Sequence, residues 1–529
     1  MKKFLTLAVL TISISIFVFY LIMNNRANIE QAENRLVAQT YCSGCHLFPE
    51  PETLPRRSWE TLLAYMGFFL GVENYDYIES DNLAAIENVQ SRYSLLRQEN
   101  LFPSTQLISN NEWSRVLDYY FVNSPERSLP QQGKPIAIEL NQFRSLLTSY
   151  RISPPVITTA VEIDSLNNRV YLGDSYYETI TTLGSNGQIE SGPRVFYPPV
   201  SPVRFHITND QVYVGSIGDL LGSGQSTDRP GFIGIINNLD QGLNDASYIP
   251  ILGNLPRLAD FEINDIDGDG FNDLVTNGFG MIVGELAVNW GREAGGYDEE
   301  VLANRGGAVK SQIIDIDDDG RLDILVLFAD ALEQLVIYKN LGDRIFEQQV
   351  AFSTNPSYGH TYFEVHDFNN DGLKDLLVVN GDNVDSDPFN TLKNFHGIRI
   401  YSNQGGLEFV ESYFYPMHGA FNASAEDFDL DGDLDIAGIA FYPDFSLENP
   451  ESFVYLENIN EGFINYTDDL ANSGRWMTMD VGDINSDGYP DIVLGGSYIP
   501  FGMETHMEKF AELSEIGPRA LILENIQNE

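Results

Sequence analysis

The chain has 529 residues, and its 77 acidic side chains outnumber 30 basic ones, for a formal charge of −47. A surface that acidic repels phosphate backbones, which excludes nucleic acid as a partner. With 43% apolar and 12% aromatic residues, wholesale disorder is also excluded.

Lys2 and Lys3 precede an uncharged run of 20 residues from Phe4 to Met23. As a helix it would be about 30 Å long, the thickness of a bilayer's hydrocarbon core. Residues 1–25 are therefore expected to form a signal-anchor, a transmembrane helix with the lysines in the cytoplasm. The remainder would face the periplasm or the exterior; a cleaved signal peptide, with secretion, is the alternative.

The only two cysteines, Cys42 and Cys45, are too close in sequence to staple a fold of this length, so a disulfide scaffold is excluded. With His46 they form C-x-x-C-H, the attachment signature of c-type haem. Each thiol would add to a haem vinyl group, and the histidine would bind the iron from the proximal side. A zinc site would need further ligands, and the next histidine is His206. Ile29, Ala32, Leu36 and Val37 line one helical face before the motif. Ser109 and Glu112 form a capping box before Trp113, Val116, Leu117 and Tyr120, an amphipathic stripe.

With Leu54-Pro55 and Trp59 downstream, this stretch resembles small bacterial monohaem cytochromes c. The resemblance implies a small all-α haem domain over 27–125, holding one covalent haem c on Cys42, Cys45 and His46. Met66 is the candidate sixth ligand by elimination, as the only methionine between the anchor and residue 280. It lies in an apolar helix, so a plain core methionine is an equal reading.

Proline and glycine mark residues 126–155 as a linker, with a possible propeller-closing strand. Beyond it, one pattern recurs five times. It reads Asp265, Asp267, Asp269, Gly270, Asp273; then Asp315, Asp317, Asp319, Gly320, Asp323; then Asp367, Asn369, Asp371, Gly372, Asp375. Asp427, Asp429, Asp431, Gly432, Asp435 and Asp483, Asn485, Asp487, Gly488, Asp491 complete the set. The first aspartates are 50, 52, 60 and 56 residues apart, a period that signals a repeat architecture. Oxygen ligands at positions one, three, five and nine, with glycine at six, are what an EF-hand-like calcium loop needs. No EF-hand helices flank them; each loop runs instead into an apolar strand.

Alternating strands ending in Asn340, Asn403, Asn458 and Asn525 follow, and a further short strand completes a four-stranded blade. The combined motifs look like the FG-GAP/VCBS repeats of integrin-alpha-type propellers, closely over 258–529 and weakly over 156–257. The resemblance implies an all-β propeller over 156–529 with seven blades and up to five Ca²⁺. The first two blades lack the aspartate loop. The last blade would borrow its outer strand from around 134–152.

Arg204, Arg257, Lys310, His360, His418, Arg475 and Trp476 recur at the starts of inner strands, away from the calcium loops. They could line a cationic funnel for a small anionic ligand, or pair with neighbouring acids at blade junctions. No hydrolase, zincin or phosphate-loop motif is present. The expected protein is thus a membrane-anchored c-type cytochrome in electron transfer, its propeller docking a redox partner or ligand. An adhesion propeller with a haem sensor, and an oxidoreductase with substrate in the funnel, are the alternatives; an electron carrier or binding protein is favoured over an enzyme.

Overall fold

The computed structural model describes residues 23–527 apart from 24, 27, 45, 79–82, 136, 152, 154, 198–199, 209–210, 219, 221–227, 238–242, 244–245, 281–282, 384–388 and 460–461. The chain divides into two compact units, Met1–Ser128 and Leu129–Glu529.

In the second unit the strands resolve, among the described residues, into seven blades of four antiparallel strands, and Ile138–Glu139 adds a short parallel fifth strand to the outer edge of blade 6. Blades 1 to 6 span 156–195, 202–255, 258–303, 308–353, 360–416 and 420–467. Blade 7 combines Trp476–Gly482, Asp491–Tyr498 and Ala520–Asn525 with Phe143–Leu147, a strand from ahead of blade 1. That strand pairs antiparallel with the last one, Phe143 opposite Asn525 and Leu147 opposite Leu521. The first strand of each blade packs against the first strand of the next, and that of blade 7 returns to that of blade 1. The ring of inner strands is closed.

The second strands explain why the repeats read as apolar runs. In blade 4 every residue of Asp323–Phe328 is buried, because neighbouring blades cover the sheet on both faces. Val275, Leu286, Val288 and Trp290 of blade 3 form one core with Ala308, Ile324, Val326 and Phe328 of blade 4. Each Val, Leu, Ile or Phe side chain among them contributes about 1.5–3 kcal/mol of gross burial energy.

In the first unit, residues 28–42 are helical, followed by helices Arg56–Phe69, Leu83–Gln98 and Asn110–Asn123. The capping box at Ser109 and Glu112 is formed. Trp59, Leu63, Trp113, Val116 and Tyr120 close around Ala38 and Cys42. The Trp59 and Tyr120 rings stand 4.5 Å apart, and their polar ends donate to the carbonyls of Pro51 and Pro49, each at 2.8 Å.

Two expectations are corrected. The fold class is not that of a transmembrane helix and an all-α cytochrome c domain joined to a propeller. The chain is mostly antiparallel sheet, its helices are short, and those of the first unit do not amount to a sizeable all-α cytochrome domain. The amphipathic stripe meets side chains of its own unit, which satisfy its apolar face. The membrane-anchored placement is also withdrawn. Among the described residues no helix is long and apolar enough to cross a membrane. The run from Phe4 on which that expectation rested lies outside them, except for Met23.

Candidate calcium loops and the central channel

Each aspartate loop joins the first strand of a blade to its second. The backbone turns sharply because position six is glycine at positive φ, from 85° at Gly372 to 98° at Gly432. Position four is left-handed too, at Gly268, Asp318, Asn370, Leu430 and Ser486. That double turn folds the backbone N–H groups back onto the side chains. The position-six N–H donates to the first aspartate in every loop, at 2.8–3.1 Å. Position seven donates to position five at 2.8–3.1 Å.

Position nine braces the loop to the sheet. One oxygen of Asp273, Asp323, Asp375, Asp435 and Asp491 accepts the N–H of Gly291, Asn340, Asn403, Asn458 and Asn525 respectively, at 2.7–2.8 Å. The other accepts from position two in four loops, at 2.9–3.1 Å, and from the Tyr455 hydroxyl in the fourth, at 2.5 Å. Burial raises these carboxyl pKa values, to about 7 at Asp435 and Asp491. The strand-ending asparagines reach across blades: Asn340 donates to the Ile266 carbonyl of the first loop, and Asn525 to the Phe428 carbonyl of the fourth.

The residues fit a calcium ion. Carboxylate oxygens of Asp265, Asp267 and Asp269 lie within 4.8 Å of one another, as do those of Asp315, Asp317 and Asp323, and of Asp427, Asp429 and Asp431. Oδ1 of Asp265, Asp317 and Asp427 is buried without a hydrogen-bond donor. A buried, unpaired anionic oxygen is costly, and a hard cation with six to eight oxygen ligands satisfies it. In the third and fifth loops Asn369 and Asn485 replace one carboxylate, beside Asp367, Asp371, Asp483 and Asp487, and the same N–H cradle forms.

The inner strands hold a charged network that sequence reasoning saw only in part. Arg204 lies 3.6 Å from Glu162, 3.6 Å from Asp260 and 3.8 Å from Glu262. Lys310 lies 3.6 Å from Asp260 and 3.7 Å from Glu262. Burial pushes Glu162 up to about 8 and Asp480 up to about 6, and Arg204 opposes both shifts. Three acids also stitch neighbouring blades: Asp260 accepts the Ser311 N–H at 3.0 Å, Glu364 that of Ala425 at 3.0 Å, and Asp480 that of Ile163 at 2.7 Å. The missed signal was an acid three residues before a loop, at Glu262, Glu364 and Asp480.

The seven candidate funnel residues are not gathered into one cationic surface. Arg204 and Lys310 are engaged by shared carboxylates. Arg475, Trp476 and His360 are fully buried, Arg257 donates to the Leu220 carbonyl, and His418 is half-buried.

His360 pairs with Glu333, whose Oε2 accepts the His360 backbone N–H at 2.9 Å and lies 2.5 Å from Nδ1. Burial drives the carboxyl well above 4.5 and the imidazole from 6.5 down to about 3; Arg399 adds to the latter shift. The folded pair therefore keeps one proton throughout that interval. Unfolded, it would hold two protons below about 4.5 and none above about 6.5. Its contribution to stability should rise with pH below the first value, level off between them, and fall above the second. Urea unfolding of the wild type and a Glu333→Gln/His360→Asn double variant across pH 3.5–8 checks this; a flat difference curve would refute it.

At the N-terminal motif, burial pushes the Cys42 thiol up to about 12. Cys45 lies outside the described residues. His46 Nδ1 is 2.7 Å from the Leu47 carbonyl. Donation to that carbonyl leaves Nε2 as the lone-pair nitrogen, the arrangement an iron-binding imidazole needs. Met66 is partly buried against the Trp59–Tyr120 core.

Residues 315–378 match the FG-GAP-like repeat family. The chain contains an FG-GAP-like repeat. The match starts on the first aspartate of the second loop and ends in the second strand of blade 5, within an all-β, propeller-like unit. No curated protein matches the chain. Among solved structures, it is similar to the N-terminal domain of Nup159, at 11% identity and a TM-score of 0.41, over 75% of this chain and 98% of that one. It is also similar to Saccharomyces cerevisiae Sqt1, at 7% identity and a TM-score of 0.41, over 74% of this chain and 100% of that one. The family match gives no evidence of a cytochrome c domain.

Proposed function

We propose that the chain is a binding protein whose propeller, braced by calcium, docks a partner protein or ligand. The observation that carries this reading is the repeated loop, in which a carboxylate oxygen is buried without a donor in three of five copies. Calcium at these loops would hold the first and second strands of five blades in register, leaving the opposite end free to present binding loops. The engagement of Arg204 and Lys310 by acids favours a macromolecular partner over a small anion in the channel. Equilibrium dialysis of the full chain against calcium, with metal content measured afterwards, tests the reading. Uptake of several ions per chain is expected, and a metal-free protein at millimolar calcium would overturn it.

We propose in addition that Cys42, Cys45 and His46 carry one covalent haem c, which when bound supplies a one-electron couple and makes the docked partner a redox partner. The C-x-x-C-H pattern and the orientation of the His46 ring support this. Expressed with a c-type maturation system, the chain should show haem that survives denaturation and sharp reduced α and β bands. Cys42→Ala/Cys45→Ala should abolish both. Absence of covalent haem from the wild type would leave the calcium-braced binding module alone.

A further inference from the structure

The five loops share one backbone design but differ in electrostatic setting. Position seven is Phe271, Arg321, Leu373, Asp433 and Tyr489 in turn. The residue before the bracing asparagine is Lys339, Ser402, Glu457 and Glu524 in the last four blades. In the second loop both positions are basic and both turn onto the carboxylates. Lys339 pairs with Asp317 and lies 3.9 Å from Asp319, which also pairs with Arg321. The first loop takes its cation from the neighbouring blade. Arg344 lies 2.6 Å from Asp267 and 3.6 Å from Asp269, with its guanidinium 4.6 Å from the centre of the Trp290 ring.

In the fourth loop the same two positions are acidic. Asp433 is nine-tenths buried and its Oδ1 has no hydrogen-bond donor. Glu457 adds negative charge beside Asp429. Among the described residues no ion pair is made by Asp427, Asp429, Asp431, Asp433 or Asp435.

We infer that the fourth loop is the tight calcium site of the ring, with Asp433 as an added ligand. Arg344 against the first loop, and Arg321 with Lys339 against the second, are built-in competitors that hold those loops at weaker affinity. This rests on the calcium reading above and adds an order of filling to it. The affinity of such loops is set largely by the charge of their ligands. A basic group must release its carboxylate, or share it, before the ion can use every oxygen. One unit charge about 5 Å from a divalent ion in a hydrated setting changes affinity about tenfold. As calcium falls, the first two loops would empty first and their basic side chains would take the ion's place.

Isothermal titration of the full chain with calcium tests the order, using the wild type and two double variants of matched circular dichroism. The wild type should show a tight class of site and a weaker one. Asp433→Asn/Glu457→Gln should weaken the tightest site about a hundredfold. Arg321→Gln/Lys339→Gln should tighten a weak site by a similar factor. The latter changes only partly exposed side chains, so it decides the matter if the former fails to fold. One uniform class in the wild type, or weak constants that Arg321→Gln/Lys339→Gln leaves unmoved, would overturn the inference alone. No uptake by the wild type would overturn the calcium reading with it.

Discussion

Removing calcium from the full chain is expected to lower its unfolding free energy by about 3 kcal/mol or more. A single site held at a hundred times its dissociation constant contributes about 2.7 kcal/mol, and the chain carries five aspartate loops. The effect should be large because the loops are part of the sheets. Each position-nine carboxylate holds the end of a third strand, while positions one to six hold the turn. An emptied loop also leaves carboxylates facing one another within 4.8 Å. Urea unfolding in millimolar calcium, in magnesium, and in chelator at fixed ionic strength measures this. Magnesium should rescue poorly, since it demands a small octahedral shell and keeps its own waters. Coincident midpoints in calcium and chelator would remove calcium from the account of this fold.

Replacing Arg475 should cost as much in one substitution. Its side chain is wholly buried, and its guanidinium donates to the Phe441 carbonyl at 2.8 Å, to that of Ile499 at 2.6 Å, and to that of Phe501. It also lies 3.7 Å over the Phe441 ring. One planar group thus satisfies carbonyls from the loops after the second strands of blades 6 and 7. Arg475→Met keeps much of the volume but leaves those carbonyls without a donor, each worth about 1–3 kcal/mol when buried. A loss of about 3–5 kcal/mol is expected. Arg475→Lys should recover only part, because an ammonium is a point donor without the fixed fork. A shift under about 1 kcal/mol in urea unfolding would show that water takes over these carbonyls.

The aspartate loops were legible because their geometry is local. Aspartates at alternate positions and a glycine at the sixth define a loop whatever surrounds it, and five copies in register define a repeat. Leu430 and Ser486 were not legible as left-handed residues, since neither type favours positive φ; the closed loop imposes it. The partners of Arg475 come from loops 24 to 34 residues away, so its position at a strand start reveals nothing of its neighbours. The helical stripe of Trp113, Val116 and Tyr120 had the same limit. Periodicity says that a face is covered, but not by what, and here Trp59, Leu63 and Cys42 cover it.

The strand Phe143–Leu147 closes the last blade, yet it is made before any blade exists. Phe143 must wait for Asn525, 382 residues later, before its partner leaves the ribosome. At about 5–20 residues per second that is about 20–80 s of synthesis with an unpaired sheet edge on each side of the gap. Closure is therefore a late and non-local event, of the kind that slows folding and exposes strands to the wrong partner. A circular permutant that begins at blade 1 and carries 138–147 after residue 525 would make the latch strand and its partner neighbours in time as well as in space.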